Sequence, residues 1–523
     1  MNQTRTARSA SIPPLRPALA ALMAALVLAG CATGPDYKRL GAPLAAGYHT
    51  ASALAARKAD LPAPQLDAWW NGFEDPALQR IVARVLEQNL DLAAAMARVD
   101  QARAVSREAD ANLLPSGALN ASVQHQRQSL NSPSGRLAKG TPGYNREQSL
   151  YDIGAGASWE LDVAGGLKRE TQAASAAAQA AEADRLGVRV SVTAEAADAY
   201  FRVRGAQRRI ALAQQQIATD GRLLELVRLR YADGLAASRE VAQAEALVSQ
   251  ARGTIPPLRI ELEVQLNRLD VLMGAAPGTY AAELSPAALP ASMATTGAPV
   301  AAAASASSAA SASWRGAPDA AAAYAGTRIP MIELSQGPAD LLRRRPDVIA
   351  AERRLAASNA QIGAAMAEYY PKVTLSALLG VTSLGSSGLL SAAALQPQAA
   401  AGLRWRLFDF GRVDAEVARA KGANAEALAA YRKAVLRAAE DVENAVVTLT
   451  QLEQQHIELV DEVDARTRAR DASELAYKGG AVSLFEVLEE QRQLLASSDQ
   501  MARVKTDNAR AAVATFRAAG GGW

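Results

Sequence analysis

The chain of 523 residues has few bulky aromatic side chains: they make up 5% of it, although half of its residues are apolar. Alanine, leucine and valine must then fill its core, and small side chains suit closely approaching helices better than a bulky globular interior. Cysteine occurs once, at Cys31, so no disulfide can form within one chain. Histidine occurs three times, at His49, His125 and His456, never at a metal-ligand spacing, and no metal site is expected. Net charge is lacking too. The 56 Lys and Arg outnumber the 53 Asp and Glu only through Arg5, Arg8 and Arg16, and without those three nothing argues for a nucleic-acid partner. Catalytic signatures are also missing. Asp409-Phe410-Gly411 stands without the glycine-rich loop, lysine-bearing strand or catalytic loop of a kinase, and Gly154-x-Gly156 lies inside an alternating segment rather than before a helix. An enzyme is not expected, nor a cofactor.

The three extra arginines precede an apolar run from Ala18 to Leu28 that is too short to span a bilayer. Residues 1–30 read as a signal peptide. Its end, Leu28-Ala29-Gly30-Cys31, resembles a bacterial lipobox, which implies cleavage before Cys31 and a covalent lipid on it, diacylglycerol and an N-acyl chain. Each buried methylene contributes about 0.8 kcal/mol, so several chains anchor firmly. Ala32 stands where an aspartate would argue for retention in the inner membrane, so the outer membrane is the expected address.

What is present is a duplication. Tyr231-Ala232-Asp233-Gly234 recurs 246 residues later as Tyr477-Lys478-Gly479-Gly480, and the same offset carries Trp159 to Trp405, Gly165 to Gly411, Glu240 to Glu486, Val241 to Val487 and Gly274 to Gly520. Upstream, Asp91, Ala94, Ala95 and Pro115 recur 256 residues later as Asp347, Ala350, Ala351 and Pro371. The first repeat is placed at 77–274 and the second at 341–520, with a connector at 275–340 that holds an Ala/Ser-rich tract at 292–325. An N-terminal segment, 31–76, and a short tail, 521–523, complete the plan.

Each repeat mixes two kinds of segment. Between Gly166 and Tyr231, and between Gly411 and Tyr477, proline is absent and helix formers dominate. At 1.5 Å per residue each is a helix on the order of 100 Å long. In the second, Leu428, Tyr431, Val435, Ala439, Val442, Val446 and Leu449 step by three and four, a packing seam for a coiled-coil-like tube. Gly234 and Gly480 suit the left-handed turn that ends each helix, after which helices return over about 238–273 and 484–516. The other kind of segment has period two. Strands are expected at about 116–127, 151–162, 372–383 and 398–408, each about the length a tilted membrane strand needs. With their apolar faces toward lipid, Asp152, Glu160, Lys372, Arg404 and Arg406 line water, and Trp159 and Trp405 sit at the helix-proximal ends. Four strands cannot close a barrel, since hydrocarbon tolerates no open sheet edge and the smallest membrane barrels have about eight. Several copies must share one.

After Cys31 come Gly34-Pro35-Asp36-Tyr37, Trp69-Trp70-x-x-Phe73-x-Asp75-Pro76-x-Leu78, Asn89-x-Asp91-Leu92, Ser158-Trp159-Glu160-Leu161-Asp162, Leu341-Leu342-Arg343-Arg344-Arg345-Pro346-Asp347-Val348, Leu407-Phe408-Asp409-Phe410-Gly411-Arg412 and Gly520-Gly521-Gly522-Trp523. Together these stretches resemble the TolC-like outer-membrane efflux proteins, in particular the acylated family that serves resistance-nodulation-division (RND) pumps. The resemblance implies an α+β membrane protein: a homotrimer with a shared twelve-stranded β-barrel, a periplasmic α-helical barrel and an equatorial collar. It also implies two partners, a periplasmic adaptor and an inner-membrane RND-type transporter. At the hairpin tips it implies a gate, with Glu486 and Glu489 forming acidic rings whose mutual repulsion raises some pKa values. Tyr477 and Glu240 match positions that join neighbouring hairpins; an arginine that assists there in relatives is replaced by Val482. The expected role is passive conduction of small molecules such as drugs across the outer membrane. A same-fold conduit for secreted proteins or metal export, and a pore-less coiled-coil periplasmic lipoprotein, are the alternatives.

Overall fold

The computed structural model describes residues 33–39, 41, 47–57, 61–284, 328–333 and 337–523. The signal segment, Cys31 and the 292–325 tract lie outside them. In chain order the elements are α1 (Ala51–Ala55), α2 (Pro76–Gln88), α3 (Leu90–Ala111), β1 (Ser116–Arg127), α4 (Pro133–Ala138), β2 (Glu147–Leu161), α5 (Gly166–Ala232), α6 (Ser238–Gly253) and α7 (Ile255–Leu272) in the first part of the chain. The second part gives α8 (Pro338–Arg344), α9 (Pro346–Ala367), β3 (Lys372–Ser383), β4 (Leu395–Arg404), α10 (Arg412–Lys478) and α11 (Leu484–Ala518). Helices α5 and α10 have 67 residues each. The chain divides into two compact units: Met1–Leu40, Val99–Ala181 and Ala351–Tyr431 form one, and Gly41–Arg98, Glu182–Ala350 and Arg432–Trp523 the other.

The first unit contains one antiparallel sheet in the order β1-β2-β3-β4. Two strand bounds differ from expectation. Strand β2 begins at Glu147 because β1 runs on to Arg127 and supplies a partner that far. Strand β4 is Leu395–Arg404 rather than 398–408: β3 starts at Lys372, opposite Arg404, just after Pro371, so residues 405–408 have no strand to pair with. Their alternation of apolar and polar residues continues past the end of the ladder.

The second unit holds the main core. Trp69 is fully buried and stacks on Phe516 at 5.4 Å between centroids, while Phe73 packs on Phe201 at 5.1 Å. Asp75 fixes this cluster to two helices at once. Its Oδ1 accepts from the amides of Ala77 and Leu78 and so caps α2, and its Oδ2 accepts the Tyr200 hydroxyl of α5 at 2.6 Å. Burial, with the Asp75 carboxylate adding to it, pushes the Tyr200 phenol far up. The Trp-Trp-x-x-Phe-x-Asp-Pro stretch is thus a core and a helix start. At the other end of the chain, Gly521 N donates to Phe516 O and Gly522 N to Leu66 O, tucking the tail beside Trp69. A Cβ on Gly521 would stand 2.8 Å from Leu66 O.

The repeat is visible in how each return helix ends. Asn89 Nδ2 donates to Leu272 O at 2.9 Å; 256 and 246 residues on, Arg345 Nη1 donates to Ala518 O at 3.3 Å. Gly274 and Gly520 follow with φ of 70° and 77°. The return helices differ: the expected 238–273 helix is interrupted at Thr254, where Pro256 and Pro257 cannot donate to the preceding turn, whereas α11 runs unbroken.

Candidate functional site

The register of the sheet sorts its two faces. Leu119, Ile153, Leu379, Val381, Leu395 and Leu403 fall on one face, and Asp152, Glu160, Lys372, Thr374, Gln396 and Arg404 on the other. Within the protomer neither face is covered. Every residue of β1 and β4 is exposed, Leu119 at 76% and Leu403 at 68%. One lipid-facing wall and one water-facing wall would look like this. No helix among the described residues is long and apolar enough to cross a membrane. The outer edges of β1 and β4 are open.

On the polar face, three of the five expected lumen residues meet. Lys372 Nζ lies 3.7 Å from Glu160 and 2.5 Å from Glu368, and Arg406 reaches Glu368 at 3.0 Å and Glu416 at 3.6 Å. Arg406 lies past the end of β4. Asp152 stands apart and accepts the Thr382 hydroxyl at 2.7 Å, and Arg404 is paired in the ladder with Lys372. The sequence reading missed Glu368 and Glu416; the signal was Glu368 four residues before Lys372 on the preceding turn. It also missed Leu378, an apolar side chain on the polar face that lies over Gly154, where a Cβ would meet it at 3.0 Å.

The strand ends are tied to the helix ends by the two tryptophans. Trp159 Nε1 donates to Leu113 O at 2.9 Å and Trp405 Nε1 to Tyr369 O at 3.0 Å, again repeat-equivalent positions. At each corner an aspartate caps the long helix. Asp162 accepts from Leu167 and Lys168 amides, and Asp409 from those of Gly411 and Val413. Asp409-Phe410-Gly411 is therefore a strand-to-helix corner.

The two hairpin tips close alike and pack differently. Gly234 and Gly480 have φ of 72° and 74°, with Leu235 N donating to Arg230 O and Ala481 N to Ala476 O. Tyr231 is half exposed. Tyr477 is 6% exposed among Leu223, Val227, Leu247, Leu484 and Val487, with the Arg230 guanidinium 4.8 Å above its ring. Its hydroxyl has no hydrogen-bond partner among the described residues, Glu240 included. Glu486 is exposed and accepts from Ser483 at 3.4 Å. Glu489 accepts from Arg492 at 2.7 Å and from Gln493 at 2.7 Å, and the Arg492 guanidinium leads in holding its carboxyl down at about 2. These partners lie within one protomer, whereas the expected acidic ring would form between copies.

Comparison with known proteins agrees with this geometry. The family model of the outer membrane efflux proteins matches residues 81–275 and 337–521, the two repeats. Pyoverdine export outer membrane protein OpmQ of Pseudomonas aeruginosa is 32% identical over 97% of each chain, and nodulation protein T of Rhizobium leguminosarum bv. trifolii is 30% identical over 91% of each. The solved structure of the outer-membrane channel OprN is 30% identical, with a TM-score of 0.77 covering 94% of this chain and 100% of that one. The open state of the Neisseria gonorrhoeae MtrE outer membrane channel is 26% identical, with a TM-score of 0.76 over 94% and 98%. The fold class is that of the trimeric TolC-like channels of the bacterial outer membrane, with four strands per protomer and a large periplasmic helical portion. Relatives of this kind are efflux channels rather than enzymes. An open four-stranded wall and two long-helix hairpins, repeated once within one chain, are what a member of the outer membrane efflux protein family needs, and this chain belongs to that family.

Proposed function

We propose that the chain is the passive exit duct of a tripartite pump, receiving small organic molecules from an inner-membrane RND-type transporter through a periplasmic adaptor. The observation that carries this reading is the sheet with one apolar and one charged face, open at both edges: its polar face suits a water-filled duct with little demand for specificity. Relatives named for pyoverdine export and for toluene efflux favour small organic cargo over proteins. Cys31 carries the acyl anchor. Thr33, two residues on, is held by Ala164 O and Gly363 O beside the strand-to-helix corner, and two residues span at most about 7 Å, so the lipid would enter the leaflet at that end of the strands.

At the tips, Tyr477, Glu240 and Glu486 form the gate in this reading. The Tyr477 hydroxyl, unpartnered among the described residues, is free to bond a neighbouring hairpin, and Glu486, without a cationic partner among them, carries the negative ring more than Glu489, which pairs with Arg492. Deleting the gene in its host and scoring drug susceptibility tests the role. A several-fold rise in susceptibility, restored by the wild-type gene, supports it; unchanged susceptibility to every small-molecule class, with loss of a secreted protein instead, favours the secretion conduit.

A further inference from the structure

The two turns at the outer ends of the strands, the ends away from the long helices, differ in character. Residues 384–394, between β3 and β4, carry no charge. Residues 128–146, between β1 and β2, carry Arg136, Lys139 and Arg146 and no acid. This basic segment is a folded platform. Gln128 N donates to Arg146 O at 2.8 Å and closes its base, while Gln128 Nε2 donates to the hydroxyls of Ser132 and Ser134 at 2.7 and 3.0 Å. A Cβ on Gly135 would stand 1.9 Å from Ser129 O, so the two sides of the turn meet through a glycine. Arg136 and Lys139 are exposed and have no ion-pair partner among the described residues, and Leu137 between them is 82% exposed. Arg146 Nε has no hydrogen-bond partner there either.

The register of the sheet fixes the level at which these cations stand. On the apolar face of β2, Tyr151 lies eight residues beyond Trp159 toward the outer end. That is about 27 Å along a strand and about 20 Å in height at the usual tilt, a little under the apolar band of about 25 Å that aromatic girdles flank in a membrane barrel. Past Tyr151 the same face turns polar: His125 bonds the Ser149 hydroxyl at 3.0 Å, and Arg127 lies 3.4 Å from Glu147. These four residues therefore stand at headgroup level, and the basic platform follows them directly. Guanidinium and ammonium groups around a bare leucine suit a ligand that carries both phosphate and hydrocarbon. A free phosphate ion would have no use for Leu137.

We propose that this turn binds the phosphorylated glycolipid headgroups of the outer leaflet, with Arg136, Lys139 and Arg146 on phosphate and Leu137 against the uppermost acyl methylenes. The site lies outside the duct and adds a lipid partner to the conducting role. The β3–β4 turn, without a charge, takes no part in it. Each cation beside an anionic lipid surface contributes roughly fivefold in affinity, so the three together contribute roughly a hundredfold.

Titrating the detergent-extracted full-length trimer with lipid A, and reading bound lipid by native mass spectrometry, tests this. Diphosphoryl lipid A should bind more tightly than monophosphoryl lipid A, and phosphatidylcholine, which has no net charge, should bind far more weakly than either. Combining Arg136→Gln, Lys139→Gln and Arg146→Gln should weaken diphosphoryl binding roughly a hundredfold. The charge-keeping set Arg136→Lys, Lys139→Arg and Arg146→Lys should hold it within a few-fold, which separates lost charge from a misfolded turn. Leu137→Ser should weaken lipid A binding by a smaller factor. Equal affinity for the two lipid A forms, or unchanged affinity in the Gln variant, would overturn the proposal. So would displacement of the lipid by inorganic phosphate at matched phosphate concentration, which would make the patch a site for the free ion. A Gln variant that keeps its lipid but changes the ion selectivity of single channels would place the cations at the mouth of the duct and also overturn it. Single-channel currents that persist in a Gln variant stripped of lipid A are the supporting result, and they leave the duct reading untouched.

Discussion

Set side by side, the two repeats keep their joints and diverge on their faces. Asn89 and Arg345 do one task, holding the last carbonyls of α7 and α11, and Trp159 and Trp405 do another, tying a strand end to a helix end. Between the joints, equivalent positions have parted. Asp220 of the first copy is 1% exposed with one carboxylate oxygen unpartnered, while its counterpart Arg466 is ion-paired to Glu462 at 2.8 Å. Tyr477 is buried and Tyr231 is not. Joints serve the fold of either half and are constrained alike. Faces meet different neighbours, one within the chain and one beyond it, and are free to specialise.

Substitutions at paired positions test that division, beginning with the strongest. Arg345 is buried and bonds Asp347 and Asp441 as well as Ala438 and Ala518 carbonyls, whereas Asn89 makes one such carbonyl bond. Arg345→Ala should cost about 3 kcal/mol and Asn89→Ala about 1–2 kcal/mol, read from thermal unfolding in detergent. Equal costs would mean that the further bonds of Arg345 to Asp347, Asp441 and Ala438 add nothing to the shared joint.

Asp220 comes next. Burial pushes its carboxyl up to about 6, with only Gln216 donating to it at 2.7 Å. An acid whose folded pKa lies above its unfolded value of about 4 binds more protons when folded between those values. Stability should therefore fall as pH rises from about 4 to about 6, by about 2–3 kcal/mol, and stay low above that. Asp220→Asn should remove this slope and stabilise the protein at neutral pH; a slope that survives the substitution would assign it to other groups. Arg466→Gln in the other copy should leave that pH dependence unchanged.

Smaller effects follow at the corners and tips. Trp159→Phe and Trp405→Phe each delete one indole bond and should each cost about 1 kcal/mol, alike within error. Tyr477→Phe removes a hydroxyl that bonds nothing among the described residues, so its effect on protomer stability should be close to zero. Raised conductance from the same substitution would show that the hydroxyl works between hairpins, as the gate reading requires, and Tyr231→Phe is the matched control.

Much of this was legible from the residues. The two offsets located both sets of joints, because Gly274, Gly520, Trp159 and Trp405 each need a residue type that nothing else replaces at a left-handed turn or an indole bond. Period two placed Lys372 and Glu160 on one face, because alternation depends on the chain alone. Partners distant in sequence were not legible. Glu416 joins Arg406 only after a corner, Asp75 meets Tyr200 across 125 residues, and Asp220 is solitary only because of what packs around it. The break at Thr254 was readable from Pro256 and Pro257 but was outweighed by the helix formers on either side. The ends of β4 depended on where β3 begins, which no property of residues 395–408 reveals.

Each protomer holds one third of a wall. Single-channel recording from the detergent-extracted protein in a planar bilayer tests this most directly. Stepwise currents from a species that migrates as a trimer until heated are the predicted result. A protein that, freed of its acyl chains, stays monomeric in buffer without detergent and passes no current would contradict it.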